Sequence, residues 1–166
     1  MRFTSELLGA NHDLGHLDCG NAQLNEWLSE SAHHAAAMNT GRTFVWHRGD
    51  HRVLAYFTLA AHLVTRADVP SKLGRGSPWF IPSVLLARLA LDRTLHGQSL
   101  GSELLWDALS RAVAASRQAA ARLVVVDAIG EDVASFYRHH GFVPLPEQPL
   151  RLVQKLSSIE AALTGR

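Results

Sequence analysis

Apolar positions recur every three to four residues through "CGNAQLNEWLSESAHHAAAM", where Leu24, Trp27, Leu28, Ser31 and Ala35 share one side of a helix and Asn21 is placed to cap it. The pattern then changes. "RTFVWH" and "HRVLAYFTLAAHLV" bracket the turn "RGD", which reads as an antiparallel hairpin. A loop rich in proline and glycine follows, "RADVPSKLGRGSPWFIP", and after it "VLLARLALD" (84–92) reads as a strand. "HGQSLGSELL" (96–105) puts small residues directly before a four-residue apolar rhythm, Leu100, Leu104 and Ala108, which predicts a long helix from about Gly97 to Ala119. "RLVVVDA" (122–128) is nearly continuous in apolar residues, as in a strand covered on both faces. "EDVASFYRHH" predicts a shorter helix ended by Gly141 in a left-handed conformation, "LRLVQKL" a last strand and "SSIEAAL" a terminal helix. The predicted order is α, β, β, β, α, β, α, β, a mixed α/β fold with a partly antiparallel sheet. No repeat or linker divides the chain, so residues 1–166 are expected to form a single domain.

Composition narrows the class. With 47% hydrophobic and 19% charged residues the chain reads as a soluble globular protein. Charges or histidines interrupt every apolar run before membrane-spanning length, and "MRFTSELLGANHD" lacks a signal-peptide core, so a cytoplasmic location is expected, with no membrane partner. The one cysteine, Cys19, allows no internal disulfide and reads as a small apolar packing residue. The net charge of +1 predicts no global attraction to nucleic acid, so any polyanion site must be a local patch. Of the 16 basic residues only Lys72 and Lys155 are lysines. Arginine suits bidentate phosphate contacts, although a GC-rich genome would give the same bias.

The segment from His96 to Leu105 carries candidate chemistry. The first amides of a helix have no acceptor within it, and the helix dipole adds partial positive charge there. Small residues let a ligand approach the backbone, so phosphate oxygens could dock on this turn. Equally, the glycines could serve only to turn the chain. The segment is neither a Walker A loop nor GxGxxG.

Two motifs together resemble the GCN5-related N-acetyltransferase (GNAT) superfamily. Its pyrophosphate loop, Q/R-x-x-G-x-G/A, falls on His96, Gly97, Gln98, Ser99, Leu100 and Gly101, with His96 and Ser99 departing from the pattern. Serine keeps a backbone N–H and a small side chain, so the cradle survives provided its φ is negative. The signature A-x-x-F/L-Y-x-x-x-G-F falls on "VASFYRHHGF", with Val133 at the alanine position, Tyr137, Gly141 and Phe142 matching, and Gly130 standing where many members have Asn or Ser. "LDCGNAQLNEWL", "RTFVWH", "HRVLAYFTLAA", "IPSVLLARLALD" and "PLRLVQKL" extend the likeness along nearly the whole chain, to the GNAT toxins of bacterial toxin–antitoxin pairs.

The resemblance implies a mixed, mostly antiparallel twisted sheet, splayed in the middle and flanked by helices. It implies an N-acetyltransferase that uses acetyl-CoA to acetylate the α-amine of the amino acid on charged tRNA, blocking translation. It further implies a ribbon-helix-helix antitoxin, operator DNA met only through that antitoxin, and a homodimer. The pantetheine arm would pair with the main chain at Leu89 and Leu91. The diphosphate would lie on the amides from Gln98 to Ser102, with Arg93, His96, Gly97, Ser99, Leu100, Gly101 and Phe136 completing the coenzyme set. Tyr137 would protonate the leaving thiolate; a tyrosine merely packed beside Phe136 is the alternative. Arg42, Arg66, Lys72, Arg75, Arg88 and Arg138 are the candidate tRNA contacts. For five of them solvated surface is the alternative; for Arg88, set among apolar residues, it is a structural salt bridge.

No carboxylate stands out as general base, although Asp92 and Asp127 end neighbouring strands. An α-amine titrates near 7.7–8.0 and a lysine side chain near 10.4, so a missing base mildly favours the α-amine. Of the ten histidines, His12 and His16 are four apart, but Asp13 and Gly15 disfavour a helix there, and the adjacent pairs His33–His34 and His139–His140 would diverge on a helix, so no metal is expected. Two other readings stay open: a GNAT acting on a small-molecule amine or a protein N-terminus, and a non-catalytic acyl-CoA-binding module.

Overall fold

A computed structural model of the chain describes residues 3–165. The elements are β1 (Thr4–Leu7), α1 (Ala22–Glu30), α2 (Ala32–Ala37), β2 (Arg42–His47), β3 (Ala55–Thr65), α3 (Ser71–Gly74), β4 (Phe80–Leu91), α4 (Leu100–Gln118), β5 (Leu123–Asp127), α5 (Glu131–His139), β6 (Val143–Pro144), β7 (Arg151–Lys155) and α6 (Leu156–Thr164). Seven strands form one sheet in the order β1-β2-β3-β4-β5-β7-β6. β1–β2, β2–β3, β5–β7 and β6–β7 are antiparallel, while β4 and β5 run parallel. This is the mixed, mostly antiparallel open sheet that the sequence resemblance implies. The parallel register covers Ser83–Leu86 against Leu123–Val126, although β4 itself continues to Leu91.

Two compact units can be told apart. In the first, residues up to 60 with 87–108, Leu28, Ala32, Val45, Val53, Tyr56 and Ala90 form a buried cluster. The hairpin lies here, with Val45 paired to Tyr56 and both fully buried. In the second, residues 61–86 with 109–165, Val64, Ile81, Leu123, Val125 and Val153 pack together. A strand covered on both faces needs a continuous apolar run, and Leu123, Val124, Val125 and Val126 are all fully buried. Leu100, Leu104 and Ala108, the rhythm that announces α4, are also buried, at 2% exposure or less.

Several elements differ from the sequence pattern. The first helix is two, because Ser31 leaves helical geometry at φ −124° and ends α1 before α2 begins. Asn21 does cap α1, accepting from the Leu24 amide at 3.0 Å. β1 lies outside the predicted order; its four residues are only partly buried, so alternation there is faint. The two-residue β6 and the one-turn α3 are likewise too short to carry a period. β4 starts four residues earlier than its apolar run, and α4 starts at Leu100 because positions 97 and 99 have left-handed backbone. Gly141 has φ 94°, as a helix-ending residue should, and a Cβ there would lie 2.7 Å from Gln154 Nε2. Among the described residues no helix is long and apolar enough to cross a membrane.

Candidate active site

The turn between β4 and α4 is held from within its own unit. Asp92, 6% exposed, accepts the Asp18 amide at 2.9 Å, the Thr94 amide at 3.1 Å and the Thr94 hydroxyl at 2.6 Å. Burial works to raise its pKa, but those hydrogen bonds and the Arg52 charge outweigh it, and the carboxyl sits below its ordinary range. Asp92 is therefore a structural anion that organises the turn. Arg93 is no free cation either. Its amide donates to the Asp18 carbonyl at 2.9 Å and its guanidinium meets the exposed Asp18 carboxylate at 3.3 Å.

His96 takes the place of the usual Gln or Arg, and its ring Nε2 donates to the Leu91 carbonyl at 2.8 Å. The Gln98 side-chain amide donates to the Thr94 carbonyl at 3.3 Å. Both side chains thus brace the turn. Gly97 has φ 78° and a Cβ there would meet nothing within 4 Å. Ser99 has φ 62°, so the negative angle on which the serine-for-glycine replacement is conditioned is not met: the serine occupies a left-handed position that glycine would hold without strain. Ser99 in left-handed backbone is followed directly by helical Leu100, a pairing that can turn adjacent amides toward an anion, and α4 adds the free amides of its first turn. Leu100 is buried and Gly101 and Ser102 are half-buried within that turn. The turn has no carboxylate between 96 and 102, although Glu103 follows within the first turn of α4, and its small residues leave room for a diphosphate on the main chain. Leu89 and Leu91 are half-buried near the end of β4.

Tyr137 lies in α5, 5% exposed, with Phe136 and Phe142 edge-on at 5.4 and 5.5 Å between ring centroids. Burial pushes its phenol well above the usual tyrosine range, so the hydroxyl is a proton donor, not a base, at any physiological pH. Phe136 is half-buried and also contacts His140, at 4.8 Å between centroids. Gly130 precedes α5 at φ −178°, an extended angle open to any residue, and caps the helix with no side chain. Asp127 is exposed and engaged by Arg151, whose Nε approaches at 3.0 Å off hydrogen-bond geometry.

The candidate tRNA contacts fall into different circumstances. Arg88 has no carboxylate partner among the described residues, which corrects the salt-bridge alternative. Its guanidinium lies 3.8 Å above the Trp27 ring, a contact worth roughly 0.5–2 kcal/mol. Burial lowers its pKa from the usual arginine range, with the neighbouring Tyr56 acting the other way. Tyr56 itself donates to the Leu24 carbonyl at 2.7 Å, and burial raises it. Arg138 pairs with Glu131 on its own helix, and Arg42 is exposed at the start of β2. Arg66 and Arg75 come together. With Val69, Gly74, Gly76 and Trp79 they line an open cleft of about 400 Å³, and Lys72 is exposed on the adjoining α3. Trp79 was not among the expected residues; an aromatic in a loop between arginines was the available signal.

A histidine cluster was also missed. Glu6 Oε2 receives His12 Nε2 at 2.8 Å and His47 Nε2 at 2.6 Å, three groups that could in principle hold a cation. The opposite ring atoms decide its nature. His12 Nδ1 accepts the Gly9 amide and His47 Nδ1 the Gly49 amide, both at 2.9 Å, so each neutral ring carries its proton on Nε2. A metal would need those same Nε2 lone pairs. The cluster is a hydrogen-bonded brace between β1 and β2, and it lowers the Glu6 pKa through the His12 and His47 bonds. Cys19, half-buried, donates weakly to the Asn21 carbonyl, and burial pushes its thiol up, away from reactivity.

No protein-family model matches the chain. Individual proteins do. It is 34% identical over 151 residues, 91% of this chain and 90% of the other, to a tRNA-acetylating toxin of Mycobacterium tuberculosis. The solved structure of AtaT complexed with acetyl-methionyl-tRNAfMet matches it at a TM-score of 0.89 and 33% identity, over 97% of this chain and 99% of that one. A tyrosine-to-phenylalanine mutant of AtaT, solved with the C-terminus of the antitoxin AtaR and acetyl-CoA, matches at 0.85 and 31%, over 99% of both chains.

Proposed function

Since this chain belongs to the tRNA-acetylating toxins of toxin–antitoxin systems, proteins of the GNAT fold, we propose that it transfers acetyl from acetyl-CoA to the α-amine of an amino acid esterified to tRNA. The observation that carries this reading is the match to AtaT captured with acetyl-methionyl-tRNAfMet, which spans 97% of the chain. An acetylated α-amine can no longer serve as the nucleophile of peptide-bond formation, so translation stops. The whole chain acts as one acetyltransferase domain, since β3, β4 and α4 each continue from one compact unit into the other.

Acetyl-CoA brings an activated acetyl group on a thioester. The amides from Gln98 to Ser102 hold its diphosphate, and the main chain near Leu89 and Leu91 holds its pantetheine arm, the Leu91 carbonyl being already engaged by His96. The neutral amine attacks the thioester carbonyl, a C–N bond forms as the C–S bond breaks, and sulfur leaves with the pair of electrons. Tyr137 donates its phenolic proton to that sulfur, and the proton shed by the nitrogen passes to solvent. Burial keeps the phenol protonated, so its proton is in place when the thiolate forms; the raised pKa supplies no driving force of its own. No protein base is required for an amine that titrates near 7.7–8.0, and lower still beside an ester.

In the cell the chain works in the cytoplasm as a homodimer, is neutralised by a ribbon-helix-helix antitoxin and meets operator DNA only through it. The structure of AtaT with the C-terminus of AtaR supports the antitoxin pairing. The test is a panel of acceptors. Charged tRNA should be acetylated at least 10²-fold faster than free amino acids, polyamines or peptide N-termini at equal concentration, about 2.7 kcal/mol of discrimination. A small amine matching or exceeding charged tRNA would replace this reading.

A further inference from the structure

The cleft beside Trp79 has features that the acetyl-transfer chemistry does not use. Trp79 is 52% exposed and the adjoining Phe80 57%, although aromatic side chains ordinarily find cover. Arg66 is fixed against this segment three times. Its amide donates to the Trp79 carbonyl at 2.7 Å, its guanidinium donates to the Ser77 carbonyl at 2.9 Å, and its charge lies 5.7 Å from the Trp79 ring centre. Close packing enforces the arrangement: a Cβ on the buried Gly74 would come within 3.0 Å of both Arg66 and Val69 side chains. One guanidinium N–H is used and four remain. The lining holds Arg66 and Arg75 and no carboxylate. A half-exposed indole beside one fixed guanidinium, Arg66, with a second arginine, Arg75, in the same lining matches a ligand that presents a flat π face and a nearby negative charge. A nucleotide in a single strand is such a ligand, and an acidic peptide would use the arginines but not the ring.

We propose that Trp79 and Arg66 clamp an unpaired nucleotide at the 3′ end of the tRNA, the indole stacking on the base and the guanidinium meeting a neighbouring phosphate. The proposal rests on the tRNA-acetylating reading above. The 3′ end is the relevant strand because the reacting amino acid hangs from it, so a protein acting on that amine must hold it.

The experiment compares wild type with Trp79→Ala and Trp79→Phe, reading affinity for intact tRNA and for the same tRNA trimmed of its unpaired 3′ nucleotides, with acetyl-CoA binding as the fold control. Trp79→Ala should weaken intact tRNA about tenfold, and Trp79→Phe should recover most of that. The trimmed tRNA should bind wild type and Trp79→Ala alike, and acetyl-CoA affinity should not move. Equal binding of intact tRNA by wild type and Trp79→Ala overturns the clamp. So does an equal loss for intact and trimmed tRNA, or a loss confined to self-association or antitoxin binding, which would make the patch a protein interface. Failure of the wild type itself to acetylate charged tRNA would instead strike the functional reading, and is seen separately.

Discussion

Ser99 occupies a backbone position at φ 62° where the resembling family carries glycine. A left-handed non-glycine residue costs about 1 kcal/mol, while glycine would cost a similar amount, about 0.5–1 kcal/mol, in extra chain freedom. Ser99→Gly should therefore leave thermal stability within a degree or two and hold or tighten acetyl-CoA binding. Ser99→Val, β-branched at the same angle, should lower the Tm by several degrees and weaken the coenzyme. Equal melting and binding of the two variants would show that the left-handed turn is dispensable. Asp92 offers a second test nearby. Its folded pKa is depressed, so its contribution is present above the ordinary carboxylate range and is lost as pH falls through the lowered value. Asp92→Asn should cost about 1–3 kcal/mol at pH 7. In denaturant titrations that difference should shrink below pH 4 or so; a difference that is constant down to pH 3 would deny the carboxylate its role.

At the scale of elements, α5 begins without a side-chain cap. Gly130 precedes it with extended backbone and open space, and offers no side chain to cap the helix's first amides. Gly130→Ser should raise stability by up to about 1 kcal/mol, through a capping hydrogen bond and a stiffer unfolded chain. An unchanged or lower Tm would contradict this. The same helix shows what the sequence made legible. The long periods of α4 and α5, the buried run of β5 and the left-handed stop at Gly141 all follow from patterns that span several turns or faces. What escaped was short or long-range. β1 and β6 have too few residues to show alternation, and Ser31 breaks a helix that its apolar spacing would continue. The Glu6–His12–His47 brace joins residues up to 41 positions apart, which no local pattern reveals. Ser99 was legible as a departure from the motif, but its φ was not, because the sign depends on how the whole turn is braced by Asp92, His96 and Gln98.

For the whole molecule, the two motifs separated by β5 are enough to point to the family, and the likeness to the solved toxins places the chain there. The pH profile of the intact enzyme follows from two groups. Activity should rise as the acceptor amine loses its proton, with a midpoint near or below 7.7–8.0. No falling limb should appear up to about pH 10, because burial keeps Tyr137 protonated through that range. A bell centred on neutral pH would mean that another acid protonates the sulfur. The most direct measurement is the transfer of labelled acetyl from acetyl-CoA to the amino acid of charged tRNA, under single turnover, by wild type and by Tyr137→Phe. Wild type should place the label on the α-amine, while Tyr137→Phe, binding acetyl-CoA as tightly, should do so about 10²-fold more slowly. Label absent from the aminoacyl group, or transferred by Tyr137→Phe at the wild-type rate, would contradict the account.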